Sequence, residues 1–226
     1  MHSKVWGQYQ WRMMHIISYT YDGKMSEKDR ERYISFYKTV LNVIPCPVCS
    51  THYAKRLKRY PVEGHLKDKD SLTAWVNFLH NEVNYGLQKP IVSKQQADMM
   101  YYKDNKLRYD FNDVYMLCNI YAMNTNINYE ALRKLLTLFY KIYPKLIKKT
   151  PKSYGNIKDI NNNLNLKNWA DNFINEINNK KIVPKNIPVI VEKKKEDPRK
   201  TFNLGKKEDK EIHKNLTSFL RDYKII

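Results

Sequence analysis

A chain of 226 residues, 42% hydrophobic and 28% charged, is long enough to bury a real core, and 41 Lys+Arg against 23 Asp+Glu leave it at +18. Three cysteines exclude a disulfide-stapled secreted scaffold, and no apolar run reaches the roughly 18–20 residues that a membrane span needs. Gln8, Arg12 and His15 interrupt the amino-terminal apolar stretch, so it has no signal-peptide core, and the chain is expected to be soluble where it is made.

Trp6, Tyr9, Met13, Ile16 and Ile17 recur at helical steps and predict a first helix over about residues 3–20. Ser26, followed by Glu27 and Asp29, is a start signal for a second, with Tyr33, Phe36, Tyr37, Val40 and Leu41 on its apolar face. Pro45 suits the opening turn of a third helix running to about Tyr60. Asp70 or Ser71 caps a fourth, whose stripe of Leu72, Trp75, Val76, Leu79 and Val83 faces a core until Lys89-Pro90 stops it. Ser93-Lys94-Gln95-Gln96 has capping-box spacing for a short fifth helix. The reading is all-α, a compact four-helix bundle plus a short fifth helix over residues 1–105, with no strand required. Helical patterns return at about 110–123, 128–143, 165–179 and 208–222. Residues 106–226 are therefore read as an appended, mostly helical domain, with a Lys/Pro-rich arm near 182–200.

The charge is unevenly shared: residues 1–90 hold 14 basic against 8 acidic side chains, and residues 91–226 hold 27 against 15. An acidic partner such as nucleic acid would suit it. The basic residues are dispersed rather than striped on one helix, so a solvated lysine-rich surface is the preferred reading.

Chemistry concentrates at Cys46-Pro47-Val48-Cys49. Two cysteines three apart at a helix amino terminus come within disulfide reach across one turn. The helix dipole and unpaired N–H groups there lower a thiol pKa, which makes a redox-active dithiol. Half of a zinc site is an alternative, with His52, His65 or His80 as further ligands, although no standard zinc spacing is present. A thioredoxin-type site is disfavoured because the flanks are helical rather than βαβ. Around this pair, Gly7, Trp11 and His15 fall one turn apart on one face of the first helix. On the fourth helix Asn77, His80, Asn81 and Asn84 form a polar stripe beside the apolar one, the groups that would hydrogen-bond a heteroaromatic ring or a ribose.

Gly7-x3-Trp11-x3-His15, then Pro45-Cys46-Pro47-Val48-Cys49, then Trp75-x4-His80-Asn81-Glu82-Val83-Asn84 with Lys89-Pro90, resembles the Erv/ALR family of FAD-linked sulfhydryl oxidases over roughly residues 3–103. The resemblance implies a bundle with FAD at its mouth and a homodimer. Cys49 becomes the flavin-proximal cysteine and Cys46 the outer one that exchanges with a protein dithiol. It further implies that Trp11, His15, His80, Asn81, Asn84 and Lys89 contact FAD, with Gly7 and Val83 lining the same site and His52 packed near the flavin. Molecular oxygen would be the final acceptor, yielding hydrogen peroxide, and no metal is called for. Lys, Asn, Tyr and Ile bias with an appended domain is similar to versions from large cytoplasmic DNA viruses, which implies the host cytoplasm, a viral factory or a virion.

The chain departs from that pattern at Gln8, where the family often has Arg, and at Ile91-Val92-Ser93, where an aromatic residue and a structural cysteine are expected. Cys118 is single and is read as a buried apolar side chain, so no intrachain shuttle disulfide is available. Substrate would then meet Cys46 directly or through a separate thioredoxin-like relay protein. The rival reading is a basic helical binding protein with a zinc-binding or structural CxxC.

Overall fold

Helix α1 (Ser3–Tyr19) buries Trp6, Gln10, Met13, Met14, Ile16 and Ile17, more than one face of a surface helix provides. The reason is that it is packed on two sides, by α4 (Lys69–Gly86) and by α6 (Asn112–Ala122). In the computed structural model, residues 3–103, 106–124, 126–142 and 152–179 are described, all within one compact unit, Met1–Lys185. After α1 the chain turns at Gly23, whose φ of 76° lies in the left-handed region. A Cβ there would stand 2.7 Å from the Lys67 carbonyl oxygen, so this turn requires glycine.

Helix α2 (Glu27–Val40) starts as expected, with Ser26 accepting the Asp29 N–H, and buries Tyr33, Ile34, Phe36, Tyr37 and Val40. Helix α3 (Pro47–Arg59) starts two residues later than an opening turn at Pro45 would place it. Cys46 is its cap and Pro47, not Pro45, takes the first-turn position, where a missing N–H costs nothing. A 3₁₀ turn, Val62–His65, leads into α4. Asp68 caps α4 by accepting the Ser71 N–H at 2.8 Å, so the helix starts earlier than a cap at Asp70 or Ser71 would place it. Helix α5 (Lys94–Tyr101) has the expected capping box between Ser93 and Gln96.

Two strands that the periodicity does not reveal follow, β1 (Tyr102–Lys103) and β2 (Lys106–Leu107), antiparallel with Tyr102 opposite Leu107. At two residues each they are too short to show alternation. Beyond them come α6, α7 (Tyr129–Ile142), a 3₁₀ segment (Lys152–Asp159) and α8 (Asn163–Asn179). Helix α7 packs on α2, and α6 lies between α1 and α8. Leu132, Leu135, Leu136 and Phe139 of α7 and Trp169 and Phe173 of α8 are buried. Two polar links join α6 to α1: the Tyr121 hydroxyl donates to Gln10 Oε1 at 2.9 Å, and Arg12 Nη1 donates to Asp113 Oδ1 at 2.9 Å. Cys118 is buried and free on α6, and burial pushes its thiol pKa up, as fits a packing side chain. The arm at 182–200 and the helical pattern at 208–222 lie outside the described residues. No described helix is long and apolar enough to cross a membrane.

Candidate active site

Cys46 and Cys49 form a disulfide with their Cα atoms 5.2 Å apart, ordinary for a bridge across one helical turn. Cys46 sits in extended conformation as the cap of α3, and its sulfur accepts the Cys49 N–H at 3.2 Å. Opening the bond would leave thiolate at the positive end of α3, among N–H groups with no helical partner. Three inner-face groups seat α3. Ser50 Oγ donates to the Leu41 carbonyl at 3.0 Å, and the Tyr53 hydroxyl donates to the Tyr37 carbonyl at 3.0 Å. Arg56 pairs with Glu82 of α4 at 3.4 Å. Cys49 shares this face with Tyr53 and Arg56 by helical spacing, and Glu82 stands between Asn81 and Val83.

A ring cluster gathers at one end of α1 and α4. Trp11 stacks on His80 with centroids 4.4 Å apart and planes at 6°, and His15 stacks on Tyr101 of α5 at 4.5 Å and 11°. His15 Nε2 and His80 Nδ1 are 3.0 Å apart and share one proton between them. Burial holds both imidazoles neutral. It lowers His80 to about 4, with the Lys89 charge adding to the effect, and it lowers His15 well below the usual range, with His80 and Lys94 adding. His15 is 1% exposed, and its other nitrogen, Nδ1, is buried without a hydrogen-bond partner.

The polar stripe of α4 divides in two. Asn77 and Asn81 hold the chain after Lys89-Pro90: both donate to the Val92 carbonyl, at 3.0 and 2.8 Å, and Asn81 Oδ1 accepts the Val92 N–H at 3.0 Å. The amide of Asn81 is thus occupied by backbone. Asn84 is buried, and its carbonyl accepts the Lys89 N–H at 2.8 Å across a turn in which Gln88 has a φ of 54°. That turn presents Lys89, which is exposed and acts electrostatically on His80. Val83 is half-buried beside them. Gly7 is buried, yet a Cβ added to it would meet nothing within 4 Å, so there is room against the backbone one turn from Trp11.

These residues fit FAD. An orphaned buried imidazole nitrogen, flat ring faces, space beside Gly7 and the positive charge of Lys89 suit a flat heteroaromatic group bearing phosphates, while Lys94 is paired with Asp98. His52 lies on the exposed face of α3, because its spacing from Tyr53 turns it outward.

Two residues of the cluster are absent from the sequence reading. Tyr19, one turn beyond His15, donates its hydroxyl to Asp98 Oδ1 at 2.7 Å, with Lys94 5.6 Å from its ring. Its i+4 spacing from His15 was a usable signal. Tyr101 had none, since only the return of α5 onto α1 brings it to His15. The three histidines weighed as zinc ligands go to three places: His52 to the surface, His65 against Trp75 at 6.1 Å, and His80 to the ring cluster. Among the described residues no three His, Cys, Asp or Glu side chains are grouped to hold a metal.

Comparison with known proteins gives a family and several relatives. A model described as Erv1 / Alr family matches residues 8–103. A probable FAD-linked sulfhydryl oxidase of Acanthamoeba polyphaga mimivirus is 32% identical over 98 residues, 43% of this chain and 68% of that protein. The FAD-linked sulfhydryl oxidase ERV2 of Saccharomyces cerevisiae is 27% identical over 38% of this chain and 42% of its own length. An FAD-linked sulfhydryl oxidase of African swine fever virus is 25% identical over 42% of this chain and 79% of its own. The chain therefore spans about two thirds of the mimivirus protein and under half of the yeast one. No solved structure matches it.

Proposed function

Because this chain belongs to the Erv1/Alr family, we propose that it is an FAD-linked thiol oxidase that forms disulfides in protein dithiols, with the chemistry carried by residues 1–105. The observation that carries this reading is the Cys46–Cys49 disulfide capping α3. A substrate thiolate attacks the Cys46 sulfur, the Cys46–Cys49 bond breaks, and Cys49 leaves as a thiolate stabilised by the helix amino terminus. The second substrate thiol then displaces Cys46, so the substrate loses two electrons and two protons and the Cys46/Cys49 pair gains them. FAD, when bound, supplies the acceptor for that electron pair and the route onward to oxygen, giving hydrogen peroxide. Trp11, His15, His80, Asn84 and Lys89 hold the cofactor, and Asn81 acts through Val92 rather than directly. The neutral His15–His80 pair keeps added positive charge out of the ring cluster at neutral pH.

The purified protein is expected to be yellow, with a flavin absorption spectrum, and to consume oxygen when dithiothreitol is added. Colourless protein that carries zinc and consumes no oxygen would reject this reading in favour of a structural CxxC.

A further inference from the structure

We propose that the outer face of α3 is a docking track for an acidic protein dithiol, a substrate class for the thiol-oxidase reading on which this inference rests. Val48, between the two cysteines, is 65% exposed, and at successive helical turns from it His52, Lys55, Lys58 and Arg59 are all exposed. These residues form one continuous stripe of about 16 Å from Val48 to Arg59 at the helical rise per residue. The stripe starts at the sulfurs that must be reached.

Its charge is uncompensated. No Asp or Glu occurs between Glu31 and Glu63. Arg56, on the inner side of α3, is occupied by Glu82, and Lys38 of α2 by Glu63. Lys55, Lys58 and Arg59 have no carboxylate among the described residues, and Arg59 lies 5.3 Å over the Tyr60 ring. Basic residues in the last turn suit the helix dipole, which accounts for Lys58 and Arg59. The dipole does not account for Lys55, or for the lack of any Asp or Glu in residues 32–62, the stretch of sequence that holds the disulfide. A partner whose dithiol is flanked by Asp and Glu would be steered onto this face, with Val48 meeting its apolar centre.

The test uses the full-length flavoprotein and two reduced Cys-x-x-Cys peptides of equal length, one flanked by glutamates and one by lysines, with dithiothreitol as an uncharged reference. At low salt kcat/KM for the glutamate peptide is expected to exceed that for the lysine peptide by about tenfold, and the gap should close as salt is raised. Lys55→Glu with Lys58→Glu should invert the order while dithiothreitol turnover stays unchanged. Binding of a glutamate-flanked peptide with serines for cysteines, followed by fluorescence anisotropy, should weaken in parallel. A milder Lys55→Gln, Lys58→Gln pair covers the case in which charge reversal disturbs folding. Equal kcat/KM for the two peptides, with dithiothreitol turnover intact, would overturn the docking track and leave the oxidase reading standing. No dithiothreitol turnover in the flavin-loaded wild type would overturn both.

Discussion

Within residues 3–101 the structure buries Gln10, His15, Ser18, Thr39, Thr73, Asn77, Asn81 and Asn84, whereas from α6 to α8 Asp113 is the buried polar side chain among the described residues. Burying a polar group is costly unless it is satisfied, so eight of them in one region mark where packing was not the sole requirement. Ser18, Asn77 and Asn81 satisfy themselves on backbone, but His15 keeps an orphaned nitrogen. The buried side chains of α7 and α8 are aliphatic and aromatic, with Trp169 stacked on Phe173 at 5.4 Å. Buried polar groups thus concentrate in the first region, while the second packs on it chiefly through apolar side chains. Substitutions in each should therefore fail differently.

The largest separation is expected from Cys49→Ser. Removing the sulfur that receives the electron pair should lower dithiothreitol turnover by about a thousandfold or more, with the flavin spectrum and helical content retained. Retained turnover would show that Cys49 does not have this role. Leu135→Ala in α7 should do the reverse. Leu135 is completely buried, and truncation should cost about 3 kcal/mol in urea unfolding while turnover per folded molecule stays at the wild-type value. A tenfold loss of flavin affinity in that variant would end the distinction between the two regions.

Asn81→Ala tests a smaller effect inside the first region. It leaves the Val92 N–H without its acceptor and removes one of two donors to the Val92 carbonyl, so a loss of about 2 kcal/mol is expected. Faster amide hydrogen exchange at Val92 and Ser93, measured before any change at Trp75, would assign the loss to the segment after Pro90. Uniform exchange across α4 would instead make Asn81 a general core residue.

The same contrast explains what was legible beforehand. Trp11, His15 and His80 could be read because their spacing on single helices already places them together, and the fold adds the stacking. The all-α reading and the start of α2 followed from Ser26 and a strong apolar period. For Asn81, periodicity reveals a buried amide but not its partner, which here includes backbone eleven residues away. For His52, nearness to Cys49 in sequence does not fix the face it takes, since one helical step separates the buried Tyr53 from the exposed His52. For α6 to α8 the periodicity located helices, but their packing on α1 and α2 depends on contacts about a hundred residues apart, such as Tyr121 with Gln10, that leave no local trace.

The most pH-dependent effect is expected where the two regions meet, at Arg12 and Asp113. Burial outweighs the attraction of Arg12 and raises the Asp113 carboxyl from 3.8 to about 6. A raised folded pKa means that the stabilising proton is present below pH 3.8 and lost as pH rises through about 6. His80 acts oppositely. Lowered from 6.5 to about 4, it contributes stability that is present above pH 6.5 and lost as pH falls, about 3 kcal/mol in all. Wild-type stability should therefore fall on acidification between pH 6 and 4, but less steeply than His15 and His80 alone would make it, because the Asp113 slope opposes theirs. Asp113→Asn removes one of them. It should leave stability unchanged below pH 4 and raise it by up to about 3 kcal/mol at pH 7, because the half-exposed Arg12 is hydrated and no carboxylate need be desolvated. Between pH 4 and 6 the variant should follow the histidine slope alone. Urea midpoints at pH 4.5 and pH 7 measure both. A loss of stability at pH 7 would mean instead that the Arg12–Asp113 bond is net favourable, and that α6 is held to α1 by charge as well as by packing.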